Sequence, residues 1–566
     1  MNLLRPIYPI VEYAGLLRLS TQNAVLDRPG GLSYVLCFHP MSSTIVSAGL
    51  GSPEAAMLER LLPQITLADG PHEAIAVRAP YTGCTIGTIP AGTVADLELA
   101  VQRARAAQMV WSRRTFADRT RIFLRFHDLL LERQNEVLDL IQWETGKARR
   151  HAFEEVLDTA IVTRYYARRA EKLLRPRRRK GALPLLTRTM ELTSPVGVVG
   201  LIVPWNYPLS LAVTDAVPAL MAGNAAVLKP DVQTSFTALW AVDLLRQAGL
   251  PPDVLGVVTG EGPLLGPALG ERVDYVMFTG STRTGRLVAR QAAERLIGCS
   301  LELGGKNPMI VLADADLEAA VYGAVQGCFA SAGQVCVSIE RIYVHESIAE
   351  RFLSRFAERT RALKVGASLD YSMEMGSLTA ERQLQRVEEH VADAVKKGAV
   401  LVCGGRRRPD LGGLFYEPTI LTHVTGEMQL YAEETFGPVV SVYPFACESE
   451  AVERANATRY GLNASIWTRD TARGATLAQQ IRAGNVNVNE AYAATWGSVD
   501  APCGGRKESG MRARHGAEGI LKFTETQTVA VQYVVPVGTP DGMDPSLYAR
   551  WMTRLLKLLR RVRVLG

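Results

Sequence analysis

Apolar residues between positions 95 and 173 recur at steps of three and four, as at Leu97, Ala100, Val101 and Ala104. That spacing is the period of an amphipathic α-helix, whose apolar stripe packs against a core. The whole block is therefore predicted to be helical.

Beyond this block, short apolar runs are bounded by turn residues and separated by helical stretches such as 235–248. Alternation of this kind is typical of a parallel sheet covered by helices, which binds cofactors at the carboxyl ends of its strands. A first series of strands predicts a nucleotide-binding layer, and a second series predicts another α/β domain of similar build. The first series comprises 196–203, 225–228, 254–258 and 275–278, and the second comprises 309–312, 341–344, 400–403, 439–443, 463–467 and 486–489.

The composition is that of a folded protein with about two to four domains. Of 566 residues, 47% are hydrophobic and 21% are charged, which is close to the usage of ordinary globular chains. No apolar stretch reaches the ~18 residues of a membrane span. The N-terminal residues also lack the charged end and apolar run of a secretory signal. We therefore expect neither a membrane span nor a secretory signal.

The eight cysteines are scattered along the chain, with no CxxC pair and no histidine cluster near them. Such spacing favours neither a disulfide framework nor a zinc site, so no metal is expected. Free thiols are typical of a reducing compartment, and we expect a cytoplasmic protein.

The formal charge of +6 comes from the C-terminal end of the chain. Residues 547–566 hold six cations and no acid, so the remainder is formally neutral. This distribution does not favour nucleic-acid binding, which needs a basic face on a folded domain. The tail partly fits a basic amphipathic helix and is a candidate for peripheral contact with an anionic membrane. The alternative is a soluble helical or frayed extension.

Two segments offer no clear chemistry. Residues 1–60 contain many prolines and glycines with little periodicity, and we treat them as an N-terminal extension of uncertain order. Residues 173–180 have the sequence LLRPRRRK, which we interpret as a solvated connector rather than a phosphate-binding site.

One cysteine stands in a context that indicates chemistry. Cys336 lies in ASAGQVCVSIER, between a run of small residues and a predicted strand. Upstream, LELGGKNP places Glu302 just before two glycines that let the backbone approach a ligand closely. Further upstream, PWNYP holds Asn206 between two prolines that stiffen its loop. These three side chains are the candidates for catalysis.

The chain resembles the aldehyde dehydrogenase superfamily over residues 70–535, because eight motifs occur in the family's order. Its C-terminal segments VNVNEAYAATWGSVDAP and HGAEGILKFTETQTVAVQ are most similar to the second-type succinate-semialdehyde dehydrogenase branch, which uses NAD(P). The motifs are ETGK at 144–147, PWNYP at 204–208, LKP at 228–230, FTGSTRTG at 278–285, LELGGKNP at 301–308, GQVC at 333–336, EETFGPV at 433–439 and GGRKESG at 504–510.

The resemblance implies an α/β fold of the aldehyde dehydrogenase type. This fold has a Rossmann-type cofactor domain, an α/β catalytic domain and a small β oligomerisation element. Strands near 182–192 and 529–535 would extend a partner's sheet, so we expect a homo-oligomer, either a dimer or a tetramer. The expected boundaries are 61–175 and 195–302 for the NAD(P)-binding domain, 303–510 for the catalytic domain, 176–194 and 519–535 for the oligomerisation strands, and 536–566 for the basic tail.

By the same resemblance, Cys336 is the nucleophile, Glu302 is the general base and Asn206 is the side-chain half of an oxyanion hole. The thiolate would attack an aldehyde, and the thiohemiacetal would lose hydride to a nicotinamide. Water activated by Glu302 would then hydrolyse the thioester to the acid. Because an ordinary cysteine is mostly protonated at pH 7, we expect the site to lower the pKa of the Cys336 thiol.

The expected cofactor is NADP or NAD. The loop GSTRTG at 280–285 follows a predicted strand and opens a helix, which suits a pyrophosphate at a helix N-terminus. The resemblance assigns Lys229 to the adenosine ribose and Glu434 to the nicotinamide ribose. Val232 replaces a glutamate common in NAD-preferring relatives and favours NADP, whereas Asp231 opposes it. The predicted cofactor residues are Pro204, Trp205, Lys229, Gly280, Ser281, Thr282, Gly285, Leu303, Glu434 and Phe436.

The substrate is open between two classes of aldehyde. Family members that oxidise succinate semialdehyde typically bind its carboxylate with arginines, but Ala330 and Thr214 occupy those positions here. Succinate semialdehyde therefore needs a substitute cation, and Arg283 and Arg341 are poor candidates.

The alternative substrate is a hydrophobic aromatic or fatty aldehyde. Tyr207, Leu211, Phe329 and Trp496 could contribute apolar walls to its pocket. A catalytically silent interaction protein with the same fold is the third and least favoured hypothesis, because Cys336 and its two partners are intact.

Overall fold

The structure, a computed structural model, describes residues 53–182, 186–533 and 536–560. Within these ranges the strands form four separate sheets. The strands are β1 (Ala74–Arg78), β2 (Thr85–Pro90), β3 (Arg177–Arg179), β4 (Thr187–Pro195), β5 (Val198–Ile202), β6 (Ala225–Lys229), β7 (Leu255–Val257), β8 (Tyr275–Thr279), β9 (Gly298–Glu302), β10 (Asn307–Val311), β11 (Ile339–His345), β12 (Val400–Cys403), β13 (Thr419–Thr422), β14 (Val439–Phe445), β15 (Asn463–Trp467), β16 (Asn485–Val488), β17 (Gly510–Met511) and β18 (Thr524–Gln532).

The helices alternate with the strands in both α/β halves. The predicted helical block is divided into four helices, the second to the fifth along the described chain. The helices are α1 (Ala55–Leu61), α2 (Val94–Trp111), α3 (Phe116–Glu132), α4 (Gln134–Thr145), α5 (Arg149–Leu174), α6 (Pro208–Val213), α7 (Ala216–Met221), α8 (Ser235–Gln247), α9 (Gly262–Gly270), α10 (Thr282–Glu294), α11 (Leu317–Phe329), α12 (Glu346–Arg361), α13 (Glu381–Lys396), α14 (Gln429–Ala432), α15 (Glu448–Asn456), α16 (Thr471–Ala478), α17 (Ala493–Gly497), α18 (Gly516–Leu521) and α19 (Pro545–Leu559).

The first α/β half is built on a six-stranded sheet with the order β17-β9-β8-β5-β6-β7. Its five longer strands are parallel, and β17 pairs antiparallel with β9. Strands β5, β6 and β8 are buried along their whole length, because helices cover both faces of the sheet. The parallel, helix-covered sheet predicted for this part of the chain is thus confirmed.

The second half is built on a seven-stranded sheet with the order β12-β13-β14-β11-β10-β15-β16. All neighbouring pairs are parallel except β12 with β13. The six strands of the second predicted series are all present, and β13 joins them. Together the two sheets confirm the predicted α/β class.

A three-stranded antiparallel sheet, β18-β4-β3, stands apart from both halves. The basic stretch expected to be a connector contains β3, because its arginines pair with β4 and Arg179 donates to Glu191 at 2.7 Å. The predicted oligomerisation strands fall on β4 and β18, although residues 183–185 and 534–535 lie outside the described ranges.

The two ends of the described chain differ in packing. Helix α1 buries Leu58 and Leu61 in the core of the first half, although it falls within the predicted N-terminal extension. Residues 1–52 of that extension lie outside the described ranges. Helix α19, in the basic tail, has no buried residue. Among the described helices, none is long and apolar enough to cross a membrane.

Candidate active site

Cys336 lies on a strained loop between α11 and β11. The loop begins with a short 3-10 turn in which Ser331, Ala332 and Gly333 have φ angles of 50°, 53° and 72°. Left-handed backbone is costly for residues other than glycine and persists only where the surroundings enforce it. A Cβ atom at Gly333 would lie 2.1 Å from the Gly437 carbonyl oxygen, so close packing holds the loop in place.

Asn307 fixes the backbone of Cys336. Its Nδ2 donates to the carbonyl of Cys336 at 2.8 Å and to that of Ser338 at 2.7 Å. Its Oδ1 accepts from the backbone amide of Asn463 at 3.0 Å, so its side-chain nitrogen and oxygen are both engaged with buried or partly buried backbone groups. We did not assign a role to Asn307 from the sequence, although it follows the two glycines of LELGGKNP and could have been noticed as a buried amide beside the motif.

Glu302 ends strand β9, where Thr279 of β8 and Gly510 of β17 are its cross-strand neighbours. The residue is 8% exposed. Within the described ranges, its Oε1 atom has no hydrogen-bond partner. Burial raises the pKa of this carboxyl to about 7, while Arg514 and Lys522 oppose the rise. A carboxyl group whose pKa lies near 7 can exchange a proton at neutral pH, which a general base must do.

The structure brings Cys336 and Glu302 close enough for their charges to interact. Burial raises the pKa of the Cys336 thiol to about 12, Arg514 lowers it, and Glu302 and Glu434 raise it further. The expectation of a lowered thiol pKa is therefore wrong for the protein without ligands, because desolvation of the sulfur outweighs the nearby cation. A base is needed to remove the thiol proton.

Asn206 reaches the nucleophile loop from the end of β5. Its Nδ2 donates to the Gln334 carbonyl at 3.0 Å, two residues before Cys336. An amide group carries two N–H donors, so this bond leaves a second donor for a substrate oxygen. Its backbone carbonyl accepts from Lys147 at 2.5 Å, and Lys147 forms a buried ion pair with Glu155 at 2.7 Å. This pair anchors the loop, and the sequence did not suggest it.

A polar cluster lies beside Asn206. Tyr207 donates to Glu154 at 2.9 Å, Ser331 donates to Tyr207 at 3.2 Å, and Tyr492 donates to Glu154 at 3.3 Å. Burial raises the pKa of Glu154 to about 7. The neighbouring Leu211 is buried on α6.

Three residues considered for substrate contact have other surroundings. Phe329 is 2% exposed and stacks on Phe356 in the core of the second half, so it is not a pocket wall. Arg341 is buried and donates to the carbonyls of Lys306, Arg454 and Ala455. Arg283 is exposed on α10. Arg341 is therefore not available to a substrate carboxylate, as the sequence indicated.

Lys229, at the carboxyl end of β6, fits a ligand phosphate or hydroxyl. It is 4% exposed, and its ammonium group makes no hydrogen bond or ion pair with the part of the chain that the structure describes. Burial lowers the pKa of Lys229, while the charges of Asp231 and Glu261 oppose this, and a buried ammonium of this kind is stabilised by a hydrogen-bonding ligand oxygen. Asp231 next to it accepts from the amide of Gln233 at 3.0 Å and so caps a short turn.

The predicted phosphate loop joins β8 to α10 beside the base. Gly280 donates its amide to the Glu302 carbonyl at 3.0 Å, and Ser281 caps the helix by accepting from the amide of Thr284. A Cβ atom at Gly285 would lie 2.6 Å from Leu303, so the helix packs closely on that residue. Thr282 donates to the carbonyl of Glu508 at 3.2 Å. The first-turn amides of such a helix suit a pyrophosphate.

Glu434 lies against the two glycines that follow Glu302. Its Oε1 accepts from the amide of Gly305 at 2.8 Å, and a Cβ atom at Gly304 would lie 2.2 Å from its Oε2. Phe436, with a φ of 56°, packs edge-on against Trp205 at a centroid distance of 5.6 Å. Trp205 and the preceding Pro204 are both half-buried.

Two parts of the predicted cofactor site lie at the carboxyl ends of parallel strands, where doubly wound folds bind nucleotides: Lys229 ends β6, and the phosphate loop follows β8. Glu434 contacts Gly304 and Gly305, directly after the end of β9. The residues fit a nicotinamide dinucleotide. Within the described ranges no group of three or more His, Cys, Asp or Glu side chains is arranged to hold a metal ion.

Comparison with known proteins gives a consistent result. The sequence profile of the Aldehyde dehydrogenase family matches residues 67–529. A protein of Mycolicibacterium smegmatis provisionally named succinate-semialdehyde dehydrogenase, with the cofactor NADP(+), is 48% identical over 512 residues, which is 90% of this chain and 99% of that protein.

Solved structures agree with this match. A crystal structure titled as an E. coli NADP-dependent enzyme is 34% identical, has a TM-score of 0.80, and is matched over 84% of this chain and 99% of its own. Betaine aldehyde dehydrogenase from Staphylococcus aureus in complex with NAD+ is 31% identical with a TM-score of 0.80, over 87% of this chain and 99% of its own.

Proposed function

The chain belongs to the aldehyde dehydrogenase family, and from this premise we propose that Cys336, Glu302 and Asn206 carry out its oxidation of an aldehyde to a carboxylic acid. The protein is an NAD(P)-dependent aldehyde dehydrogenase. The observation that carries the catalytic assignment is the buried Glu302 carboxyl, which has an oxygen without a partner in the described ranges and interacts with the charge of Cys336.

In the proposed reaction, Glu302 first accepts the thiol proton of Cys336, and the sulfur attacks the aldehyde carbon. The free N–H of Asn206 and the amide of Cys336 donate to the oxyanion, and one such donor is worth about 3 kcal/mol. The dinucleotide, when bound, supplies the two-electron acceptor. Glu302 releases the thiol proton to solvent and then removes a proton from the water that hydrolyses the thioester, which frees the acid and restores the sulfur of Cys336. A pKa of about 7 lets Glu302 accept and release protons near neutral pH.

The test of this function is a panel of aldehydes assayed with both nicotinamide cofactors, followed by Cys336→Ser on the best substrate. We expect formation of the reduced cofactor with at least one aldehyde and its loss in the variant. Absence of turnover with every aldehyde would revive the hypothesis of a catalytically silent protein.

Succinate semialdehyde is the proposed substrate, because relatives such as the 48% identical mycobacterial protein carry its name. A neutral aromatic or fatty aldehyde is the second candidate. It is favoured by the cluster of Glu154, Tyr207 and Tyr492 beside Asn206, since a carboxylate there would repel a substrate anion whenever Glu154 is ionised.

The two substrates are separated by comparing kcat/KM for succinic semialdehyde and a medium-chain aldehyde of similar length. Glu154→Gln sharpens the test, because it keeps the hydrogen-bonding shape and removes the negative charge. If the acid is the true substrate, its kcat/KM exceeds that of the neutral aldehyde in the wild type. If the wild type prefers the neutral aldehyde, Glu154→Gln reduces the difference in kcat/KM between the two substrates.

We propose that NADP is accepted at least as well as NAD. Lys229 makes no ion pair in the described ranges, so the ammonium can pair with a 2′-phosphate, while the nearby charges of Asp231 and Glu261 act against that phosphate. The provisional name of the relative in Mycolicibacterium smegmatis points the same way. A kcat/KM for NADP about a hundredfold below that for NAD, a difference of roughly 2.7 kcal/mol, would contradict this proposal.

We propose a homo-oligomer assembled through β4 and β18. Val529 and Val531 on β18 are 39% and 43% exposed, and an exposed apolar strand is an aggregation hazard unless a partner covers it. Light scattering on the wild type and on Val531→Lys tests this. We expect the wild type to be a dimer or tetramer and Val531→Lys to dissociate it. Val400→Lys, on β12 of the seven-stranded sheet, is the control and should leave the oligomer intact.

We also propose that α19 contacts anionic membrane surfaces. Trp551, Leu556 and Leu558 are each about 60% exposed, and the helix carries cations but no acid. Lysine and arginine beside an exposed apolar face match a surface of anionic lipid. Sedimentation with phosphatidylserine and with phosphatidylcholine vesicles, with and without residues 547–566, is the test. Equal binding by both proteins would reject the contact.

We infer a cytoplasmic location from the thiols. All seven cysteines in the described ranges are free, including the exposed Cys84 and Cys447. Thiols persist in reducing compartments. Cell fractionation, with a known cytoplasmic enzyme as marker, checks the location.

A further inference from the structure

A buried ionic cluster lies behind the base. Arg514 pairs with Asp215 at 2.8 Å, and Lys522 donates to the other oxygen of Asp215 at 3.0 Å. Arg514 also donates to the Thr279 hydroxyl at 2.6 Å. Because Thr279 on β8 is the cross-strand neighbour of Glu302 on β9, this bond places the guanidinium next to the base.

The backbone around Arg514 is equally fixed. Its amide donates to the Cys503 carbonyl at 2.7 Å, and its carbonyl accepts from the Cys503 amide at 2.9 Å. Four residues earlier, Gly510 pairs with Glu302 across β17 and β9. The backbone of Arg514 is therefore tied to the same edge of the sheet that holds Glu302.

The charges in this cluster do not cancel without Glu302. Arg514 and Lys522 contribute two positive charges, and Asp215, whose pKa is lowered despite burial, contributes one negative charge. Two further groups face the cluster: burial raises the pKa of Asp158 to about 7, and burial lowers the pKa of His515 to about 4, so that imidazole is neutral at pH 7. When Asp158 is protonated, one positive charge is left beside the Glu302 carboxyl, and an excess charge in a low-dielectric interior is stabilised by an ionised partner. Cys336 and Cys503 are the thiols that interact with Glu302.

Two atoms at the contact are unsatisfied. Glu302 Oε1 and Arg514 Nε are both buried, and neither finds a hydrogen-bond partner within the described ranges. One is an acceptor and the other is a donor. Each atom is costly to bury without a partner, so a contact between the two groups, direct or through one water, would be favourable.

We propose that Arg514, held by Asp215 and Thr279, is a positioning residue that keeps Glu302 ionised and ready to accept the proton of Cys336. The inference rests on the roles proposed above for Cys336 and Glu302. Arg514 would then supply a positive charge near Cys336, where the sequence led us to expect surroundings that favour ionisation of the thiol. Nothing in the proposed chemistry requires Arg514 to touch the substrate.

The test is the rate of alkylation of Cys336 by iodoacetamide between pH 6 and pH 9, measured in the full-length protein by peptide mass spectrometry. Peptide analysis is needed because Cys84 and Cys447 are also exposed. No aldehyde is present, so the result is independent of whether the substrate proposal is correct. Turnover of the best aldehyde over the same pH range is the second measurement.

We expect Arg514→Gln to slow alkylation at pH 7 about tenfold and to raise the pH midpoint of turnover by about one unit, which corresponds to the same factor. Arg514→Lys restores most of the rate because it keeps the charge. Arg512→Gln is the matched control, since this exposed arginine lies two residues away on the same segment, and its rate stays within about twofold of wild type.

Thr279→Val is the second variant, in case Arg514→Gln does not fold. It removes the hydroxyl that holds the guanidinium without changing any charge. We expect it to slow alkylation of Cys336 at pH 7 about threefold. Thr279→Ser keeps the hydroxyl and the wild-type rate. Unchanged alkylation and pH midpoint in a folded Arg514→Gln or Thr279→Val protein overturn the proposal. If the variants change alkylation as expected but the wild type oxidises no aldehyde, the proposed function is refuted and the proposal about Arg514 stands.

Discussion

The nucleophile and the base of this site are held in opposite ways. The backbone of Cys336 is fixed by two contacts, a hydrogen bond from Asn307 and the close approach of Gly305, where a Cβ atom would lie 2.8 Å from the Cys336 carbonyl oxygen. The Glu302 carboxyl, in contrast, is buried with one oxygen that has no partner in the described ranges. The sulfur is positioned by its backbone, whereas the base is positioned by surrounding charges and can change its protonation.

This difference shows which property each residue must keep. A nucleophile has to approach one carbon atom from one direction, so a rigid loop is an advantage. A base that serves first a thiol and then a water has to exchange protons twice in each cycle, so a fixed set of hydrogen bonds would be a disadvantage. Substitutions at the two positions should therefore have different consequences.

The largest effect is expected for Cys336→Ser, which removes the sulfur and leaves its rigid loop intact. The rate of aldehyde oxidation should fall by at least about 10⁴-fold, because a serine hydroxyl at this position lacks a base strong enough to ionise it. Cofactor absorbance gives the rate, and the control is Cys328→Ala, which changes a buried thiol in the core of the second half. Oxidation by the serine variant at the wild-type rate would exclude Cys336 as the nucleophile.

The next effect is expected for Glu302→Gln, which keeps the shape of the base and removes its proton chemistry. We predict a fall in kcat of about 10²–10⁴-fold, the range typical of general bases. The thioester at Cys336 should accumulate, because its hydrolysis needs the base, and mass spectrometry of a quenched mixture detects it. If no acyl adduct forms and kcat is unchanged, the base lies elsewhere.

A smaller effect is expected for Asn206→Ala, which removes one donor to the oxyanion. The rate should fall by about 10²-fold with little change in KM, since the donor acts mainly on the transition state. Steady-state kinetics with the best aldehyde separate kcat from KM. A rise in KM alone would mean that Asn206 only binds the substrate.

The smallest effect is the pH dependence of the wild type. The pKa of Glu302 is raised to about 7, so its carboxyl is protonated and inactive below that pH and ionised above it. The rate should therefore rise with pH and approach a plateau above about pH 7, with a slope of roughly tenfold per unit on the acid side. The slope should be absent in Glu302→Gln. A rate that falls as the pH rises through 7 would contradict the assignment.

Much of the fold could be predicted from the sequence because buried parallel strands are short and strongly apolar. The predicted strands 400–403 and 463–467 coincide with β12 and β15. Six strands of the described ranges were missed, namely β1, β2, β3, β9, β13 and β17, and in two of them the physical reason is plain. In β9 the sequence GCSLE has few apolar residues, and in β3 three consecutive arginines pair with a neighbour although their composition suggests a solvated loop.

The candidate site was only partly predictable. Cys336 and Glu302 stand in motifs that can be recognised locally. Arg514 and Asp215 have no local signal, because their pairing depends on a contact between residues about 300 positions apart. The direction in which the pKa of the Cys336 thiol shifts could not be predicted from the sequence either. It depends on how completely the sulfur is desolvated in the folded chain.

The pairing of β17 with β9 has a consequence for synthesis on the ribosome. Glu302 and its neighbour Gly510 are separated by about 200 residues, nearly all of which belong to the second α/β half. A nascent chain that has just completed β9 therefore presents an open strand edge until the distant segment emerges. The enzyme gains its functional base late in biogenesis, and any delay in translating the second half prolongs the period in which chaperones must protect that edge.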